Sequence, residues 1–157
     1  MNPGPTEFLH LPDAAHFAFV TLRLATAAVL GGLVGAEREW VGKSAGLRTH
    51  MLVSLGAALF VLAPAEGGLA EGDTSRIIQG IAAGIGFIGA GTILKRPNRD
   101  EIQGLTTAAT IWLTAAIGVA VAVGPIWLPV ACAVFTLLIL YVLGVVERKL
   151  GNTRPEG

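Results

Sequence analysis

Charged and hydroxyl side chains lie beside the apolar stretches of this 157-residue chain, at positions that belong to one end of the molecule. Glu37 and Arg38 follow the first apolar stretch, Arg48 precedes the second, and Thr106 and Thr107 begin the fourth. A carboxylate partly withdrawn from water needs a cation or several hydrogen-bond donors, and Arg48 is the nearest rigid candidate partner of Glu37. The five residues are a candidate functional polar cluster. The alternative is a ring of charged residues at the membrane interface that are exposed to water and have no specific function.

Arg23 lies inside the first apolar stretch, where a charge is costly. Insertion scales put the cost of a central arginine at about 2.5–3.5 kcal/mol, so such residues usually face the interior of a helix bundle or water. Because Arg23 is near the outer end of the stretch, its side chain could instead extend to the membrane surface. Glu37 is 14 residues further along, about 21 Å on a helix, so the two charges need separate partners.

The sequence carries no pattern typical of an enzyme. It lacks a P-loop, a zinc-type cluster of Cys and His, and a nucleophile with an adjacent base, so we predict no catalytic residue, cofactor or metal site. Gly84, Gly86 and Gly89 match the spacing G-x-G-x-x-G, but no strand precedes them and they lie in a run of lipid-spanning length. The net charge of zero gives no reason to expect nucleic acid as a partner.

The composition is that of a membrane protein. Hydrophobic residues make up 53% of the chain and charged residues 14%, whereas soluble domains carry about 25% charge. Residues 102–146 contain no Asp, Glu, Lys or Arg. A single helix of that length would extend about 67 Å, roughly twice the hydrocarbon core of a bilayer, so the segment must fold back. Gly124-Pro125 near its middle predicts the turn, because proline ends helices.

Three further apolar stretches precede this hairpin, and together they predict an all-α polytopic membrane protein with five transmembrane helices. The predicted spans are 17–36, 50–65, 77–95, 105–123 and 126–146, with an external segment at 1–16 and a short cytoplasmic tail at 147–157. The second span is short for a hydrocarbon core of about 30 Å. A four-span alternative would therefore make that stretch re-entrant.

The distribution of Lys and Arg predicts the orientation, because basic loops stay in the cytoplasm. Nine of the eleven basic residues lie in the loops after spans one and three and in the tail. Arg76 is the only one on the other side, and Arg23 lies within a span. With five spans, this places the amino terminus outside and the carboxyl terminus in the cytoplasm.

Small residues at a spacing of four predict the helix contacts, since close backbone approach drives helix association in lipid. Gly31 and Gly35 lie in span one, and Gly80 and Gly84 lie in span three, which also contains Gly91. We therefore expect spans one and three to form the packed centre, either within one chain or between the chains of an oligomer.

Thr106, Thr110 and Thr114 form a hydroxyl stripe along span four. Such hydroxyls commonly bond the carbonyl four residues earlier or a neighbouring helix, and so hold helices together. The alternative is a polar path for a solute. That alternative has thin support, because the spans contain no carboxylate apart from Glu37 at an edge.

Four linked motifs resemble those of the MgtC/SapB family of bacterial inner-membrane proteins. They are GAERE at 35–39, AGLRTH at 45–50, GIGFIGAGTIL at 84–94 and GLTTAATIW at 104–112. The motifs recur in that family in the same order and with similar spacing, and together they cover most of residues 20–146. The resemblance is specific because all four agree at once.

The resemblance implies a multi-pass protein of the bacterial inner membrane with five spans and a cytoplasmic carboxyl terminus. It also implies a role in adaptation to low magnesium and in the intracellular survival of pathogens. The best-known member is thought to bind and inhibit the membrane sector of the F-type ATP synthase, although family names often invoke magnesium transport. Longer relatives have a cytoplasmic carboxyl-terminal domain, and this sequence resembles a short form without it.

Two functions are consistent with these observations. The first is a non-enzymatic regulator in the lipid bilayer, related to magnesium stress and virulence, that binds another membrane protein such as the ATP synthase membrane sector. Its contacts would be the small-residue faces and the polar cluster. The second is a transporter of a small solute or Mg²⁺, which would have to assemble as a homo-oligomer to enclose a path.

Overall fold

The computed structural model describes residues 13–68, 71–95 and 102–151, and this part of the chain contains five helices and two short strands. The helices are α1 (Ala14–Trp40), α2 (Leu47–Glu66), α3 (Glu71–Ala90), α4 (Leu105–Val123) and α5 (Trp127–Gly151). The strands are β1 (Leu94–Lys95) and β2 (Ile102–Gln103). The expected all-α fold class is confirmed, while the predicted span 77–95 differs from α3, which begins and ends earlier.

A reversal of the chain at Gly42 fixes the end of α1. The φ of Gly42 is +70°, in the left-handed region that favours glycine. Its N–H donates to the Glu39 carbonyl at 3.0 Å, and the N–H of Lys43 donates to the Arg38 carbonyl at 2.9 Å. This is the hydrogen-bond pattern of a Schellman motif, which satisfies carbonyls that the helix end would otherwise leave unpaired.

The carboxylate of Glu39 holds the start of α2. Its Oε2 accepts a hydrogen bond from the Leu47 N–H at 2.8 Å, so a negative charge lies where the dipole of α2 favours it. A Cβ at Gly46 would lie 2.7 Å from the same oxygen. Glycine at this position therefore leaves room for the contact that joins α1 to α2.

Glycines of α1 and α4 form notches into which α2 packs. A Cβ added to Gly31 would lie 2.5 Å from a backbone oxygen of α2, and one added to Gly35 would lie 2.8 Å from a Cα of α2. A Cβ added to Gly118 of α4 would lie 2.1 Å from another backbone oxygen of α2. The backbone of α2 therefore approaches both α1 and α4 closely.

The buried apolar core follows α4. Ile111, Ile117 and Val121 of this helix are at most 1% exposed. One cluster of buried side chains joins α4 to α1, α2 and α5, and a second joins it to α2 and α3. Helix α4 is therefore the central helix of the bundle.

This packing differs from the expectation that spans one and three form the centre. Helix α1 packs mainly against α2 and α4, while α3 packs on α4 and α2. A Cβ at Gly80 or Gly84 would have no neighbour within 4 Å among the described residues, and one at Gly91 would meet only carbonyls of the last turn of α3. Of the five glycines predicted to pack helices, only Gly31 and Gly35 do so here, because spacing identifies a small-residue face but not its neighbour.

A pair of short strands lies between α3 and α4. Strands β1 and β2 pair antiparallel, with Leu94 opposite Gln103. The next residue, Gly104, has a φ of +94°, and a Cβ there would lie 1.9 Å from the Thr92 carbonyl oxygen. Only glycine fits this position, and the close approach brings the end of α3 to the start of α4.

Contacts between helices define two ends of the bundle. At the first, called the Glu37 end, the end of α1 and the start of α4 lie together, since Glu37 and Thr106 line one groove. At the second, called the Arg23 end, His16 Nε2 of α1 lies 2.6 Å from Glu66 Oε2 of α2, and Arg23 contacts the end of α4. Helix α2 thus ends at the Arg23 end, whereas α4 begins at the Glu37 end.

Four helices in the described part of the chain are long and apolar enough to cross a membrane: Ala14–Trp40, Leu47–Glu66, Leu105–Val123 and Trp127–Val146. The four-span alternative drawn from the sequence left out the second apolar stretch. In the structure, that stretch forms α2, which is long and apolar enough to cross a membrane, and α3 is the helix that does not meet the criterion. Helix α3 is less apolar because Glu71, Asp73 and Arg76 occupy its first two turns.

Candidate functional site

An open groove of about 1160 Å³ lies at the Glu37 end, between the end of α1, the start of α4 and the second half of α5. Part of its lining is polar, part is aromatic and part is aliphatic. The lining side chains used below are Glu37, Arg38, Trp40, Lys43, Thr106, Ile139, Tyr141 and Leu143. The groove therefore combines charge, aromatic rings and an apolar wall in one surface.

Glu37 and Arg38 form an ion pair in which Arg38 Nε donates to Glu37 Oε2. The side chain of Arg38 is 5% exposed and that of Glu37 is 22% exposed, so the pair is largely withdrawn from water. A charge in that position needs a partner, and each of the two supplies it for the other. Arg48, the partner that the sequence suggested for Glu37, is exposed at the start of α2 and is not among the groove-lining residues.

The two threonines that begin α4 have different surroundings. Thr106 is exposed and lines the groove beside Glu37 and Arg38. Thr107 is 3% exposed and is not among the groove-lining residues, and its carbonyl accepts a hydrogen bond from the Thr110 hydroxyl at 2.9 Å. Of the five predicted residues, Glu37, Arg38 and Thr106 therefore line the groove, whereas Thr107 and Arg48 do not.

His50 is the polar centre of the contact between α2 and α4, and it is fully buried. Its Nδ1 lies 2.9 Å from the Gly46 carbonyl oxygen, and its Nε2 lies 3.3 Å from the Thr110 hydroxyl oxygen. Because a carbonyl only accepts, Nδ1 carries the proton in the neutral ring and Nε2 is the acceptor. The Thr110 hydroxyl has a single proton, which it donates to the Thr107 carbonyl at 2.9 Å, and the longer contact to His50 Nε2 shares that proton.

The hydroxyl stripe of α4 is used for contacts inside the bundle. Thr110 and Thr114 are both buried, and the Thr114 hydroxyl donates to the Thr110 carbonyl at 2.7 Å. Together with the Thr110 contacts, this is the local and interhelical bonding expected of threonines that hold helices together. Thr106, the third member of the stripe, is exposed in the groove.

Arg23 holds the end of α4. Its Nη1 contacts the Val121 carbonyl and lies 3.0 Å from the carbonyl oxygen of Ala122 and 3.3 Å from that of Gly124. These carbonyls lack helical partners because α4 ends here and Pro125 has no N–H to donate to Val121. A cation is also favoured at a helix C-terminus, so Arg23 is a side-chain cap of α4.

Sequence reasoning missed three features of this end of the molecule. His50 stood in the motif AGLRTH, but no periodic signal indicated that its ring lies inside the bundle. Lys43 was counted only as a basic loop residue, although it lines the groove. The aromatic residues Trp40 and Tyr141, which are 92% and 67% exposed, also line it. Trp40 follows Glu39 at the end of α1, a position that could have indicated it, whereas Tyr141 lies within an apolar run and gave no such signal.

Comparison with known proteins identifies relatives over most of the bundle. The sequence profile of the MgtC family matches residues 24–149. Protein SrpB of Synechococcus elongatus is 44% identical over 135 residues, which cover 77% of this chain and 72% of SrpB. The Escherichia coli protein named "Putative magnesium transporter YhiD" is 44% identical over 141 residues, covering 83% of this chain and 63% of YhiD. Protein MgtC of Salmonella typhimurium is 45% identical over 103 residues, which cover 66% of this chain and 43% of MgtC.

The chain spans less than two thirds of the length of the YhiD and MgtC relatives. No solved structure matches it. The matched relatives and the four apolar helices together identify a multi-pass protein of the bacterial inner membrane.

Proposed function

Because the chain belongs to the MgtC family, we propose that it is a non-enzymatic regulator that binds another membrane protein during adaptation to low magnesium. The resemblance drawn from the four sequence motifs is confirmed by the match over residues 24–149. Among the relatives, the Escherichia coli protein YhiD is named a putative magnesium transporter, and the link to magnesium adaptation comes from the family resemblance. The regulatory role and the partner are our proposal.

We propose that the chain crosses the membrane five times. Helix α2 ends at the Arg23 end and α4 begins at the Glu37 end, so the chain between them must return through the thickness of the bundle. Helix α3 has 20 residues, which extend about 30 Å, and the 14 residues after Arg76 extend about 21 Å. A bilayer accommodates a short span of this kind by local thinning. The charged first turns of α3 would then lie at the membrane surface of the Arg23 end.

The orientation that we propose has the Glu37 end in the cytoplasm. Arg38 in the last turn of α1, Lys43 in the following loop and Arg48 in the first turn of α2 all lie at this end, and basic residues near span ends remain on the cytoplasmic side. With five crossings, the amino terminus lies outside and the carboxyl terminus inside.

The observation that carries the regulatory proposal is the open face of α3. A Cβ at Gly80 or Gly84, which lie one turn apart on one side of α3, would have no heavy atom within 4 Å among the described residues. On the same helix, Phe87 is 84% exposed. Helices approach each other in lipid at faces of small residues, and no described residue of this chain fills this face. A helix of another membrane protein fills it in our proposal.

Photocrosslinking in native membranes tests this assignment. A photoreactive amino acid in place of Phe87 should capture a second membrane protein. The same amino acid in place of Val134, which is 59% exposed on α5, is the matched control and should capture none. In the Phe87 variant, Gly84→Leu should reduce the captured product several-fold, because leucine fills the open face.

Two results would contradict the regulatory proposal. Equal capture from positions 87 and 134 would mean that the α3 face has no special affinity for a protein. Capture of a second copy of this chain alone would favour the oligomeric alternative instead.

We propose the membrane sector of the F-type ATP synthase as the partner, on the basis of the family resemblance. In vesicles that contain the ATP synthase, adding this protein should reduce ATP-driven proton pumping, and Gly84→Leu should restore it. Unchanged pumping with the wild-type protein would eliminate this partner without bearing on the crosslinking result.

The second candidate is a transporter of Mg²⁺ or a small solute that acts as an oligomer. The name of the Escherichia coli relative favours it. The threonine hydroxyls that would line a solute path in α4 do not favour the transporter, because those of Thr110 and Thr114 donate to carbonyls of their own helix. Purified protein in vesicles loaded with a Mg²⁺-sensitive dye should show no flux above that of empty vesicles, and a protein-dependent flux would favour the transporter.

A further inference from the structure

We propose that the groove at the Glu37 end binds an anionic phospholipid. The site lies between α1, α4 and α5, whereas the proposed partner surface lies on α3. The two proposals therefore rest on different residues, and the failure of one leaves the other standing.

Exposed aromatic side chains place the groove at the level of the lipid headgroups. Trp40 at the end of α1 is 92% exposed and Tyr141 on α5 is 67% exposed, and both line the groove. Tryptophan and tyrosine concentrate at the boundary between headgroups and hydrocarbon, where one part of the ring is apolar and another is wet. The groove thus opens where a headgroup lies.

The wall that α5 contributes is suited to an acyl chain. Ile139 and Leu143 line the groove and are 54% and 53% exposed. They lie one turn apart on the same helix, so they form a continuous aliphatic strip. A soluble anion would leave this strip uncovered, whereas the acyl chain of a lipid would cover it.

The charge balance of the groove leaves one cation without a partner. The carboxylate of Glu37 is neutralised by its ion pair with Arg38. Lys43 forms no salt bridge with a carboxylate among the described residues, so the lining of the groove carries a net positive charge. The Schellman reversal at Gly42 fixes the backbone of Lys43 through its hydrogen bond to the Arg38 carbonyl at 2.9 Å.

These features together select a lipid with a net negative headgroup. The phosphodiester accepts hydrogen bonds from the Lys43 ammonium, and basic pockets between membrane helices are known to hold anionic headgroups. A zwitterionic headgroup brings its own cation next to Lys43 and Arg38, which weakens the attraction. The groove therefore prefers phosphatidylglycerol over phosphatidylcholine.

Fluorescence quenching by brominated lipids tests the site through Trp40. In a Trp112→Phe/Trp127→Phe variant, Trp40 is the only tryptophan. In phosphatidylcholine vesicles, a small fraction of brominated phosphatidylglycerol should quench it more than the same fraction of brominated phosphatidylcholine. Lys43→Glu should weaken the apparent affinity for the anionic lipid about fivefold or more.

Matched variants separate the groove from a general surface effect. The control is Lys149→Glu, since Lys149 is exposed further along α5 and does not line the groove. This variant should keep the preference for the anionic lipid. A protein whose only tryptophan is Trp127, at the start of α5, should be quenched equally by both lipids.

Three results would overturn the proposal. One is equal quenching of Trp40 by the two lipids, and another is an equal effect of Lys43→Glu and Lys149→Glu, which would reflect surface charge alone. The third is relief of quenching by added inorganic phosphate, which would mean that the groove binds a free anion and not a phospholipid.

Discussion

Three ionisable side chains of the helix bundle have hydrogen-bond partners in the same chain. Arg23 donates to carbonyls at the end of α4, Glu37 pairs with Arg38, and His50 contacts Gly46 and Thr110. Each contact removes the cost of an unpaired polar group in an apolar environment. The charges that the sequence marked as candidates for function are therefore also part of what holds the helices together.

Replacing Arg23 by alanine should destabilise the protein by about 1.5–3 kcal/mol, the range for hydrogen bonds to charged groups. The carbonyls of Val121 and Ala122 would lose their donor, and the contact of the guanidinium with the Phe19 ring, 4.6 Å from the ring centroid, would also be lost. Thermal unfolding in detergent micelles measures the change.

Arg76→Ala is the matched control for this prediction. The side chain of Arg76 is 84% exposed and pairs only at 3.9 Å with Asp73 in its own helix. Exposed pairs of this kind contribute about 0–1 kcal/mol. Equal shifts in the unfolding temperature for the two variants would show that Arg23 does not hold the end of α4.

At the scale of elements, glycine decides which helices touch. The backbones of α1 and α2 approach so closely that a Cβ at Gly31 would lie 2.5 Å from the His50 carbonyl oxygen. The glycines of α3 at positions 80 and 84 have the same spacing in sequence but no neighbour within 4 Å among the described residues. Identical patterns therefore serve a packed interface on α1 and an open face on α3.

The substitution Gly31→Ala should destabilise the bundle by about 1–3 kcal/mol, as overpacking usually does. The contact is with backbone, so no flexible side chain can move away. Gly80→Ala should be neutral or stabilising by up to about 1 kcal/mol, because alanine favours helix and meets open space. Unfolding temperatures of the two variants check this, and a larger loss for Gly80→Ala would contradict the packing of α1 on α2.

At the scale of the whole molecule, the contacts between helix ends support five crossings although only four helices qualify by length and composition. His16 near the start of α1 contacts Glu66 at the end of α2. Near the end of α3, a Cβ added to Gly89 would lie 3.6 Å from the Cβ of Ala108, which is near the start of α4. Helix α3 therefore connects opposite ends of the bundle.

Cysteine labelling in intact spheroplasts tests this topology. In a Cys132→Ala background, Gly68→Cys should react with a membrane-impermeant maleimide added outside. Ala90→Cys at the end of α3 should react only after permeabilisation, as should the control Ser44→Cys in the loop between α1 and α2. Labelling of position 90 from outside would mean that α3 does not cross the membrane.

The sequence contained the small number of polar residues, the positions of the apolar stretches and the loops in which the basic residues lie. They predicted an all-α membrane protein, the turn at Gly124-Pro125 and a span over residues 105–123, which α4 occupies. These properties depend on local composition, because only apolar helices of a definite length cross the hydrocarbon core and because basic loops stay on the cytoplasmic side. The family motifs are also local strings of residues, and the family that they indicated is confirmed.

Only the tertiary structure decided which faces meet. It paired Glu37 with Arg38 instead of Arg48, buried His50 against Thr110, and brought Arg23 to Gly124, which lies 101 residues further along the chain. Burial and pairing depend on neighbours from other helices, and periodicity within one helix does not identify those neighbours. For the same reason the groove at the Glu37 end, formed by three helices, could not be read from any one of the segments that line it.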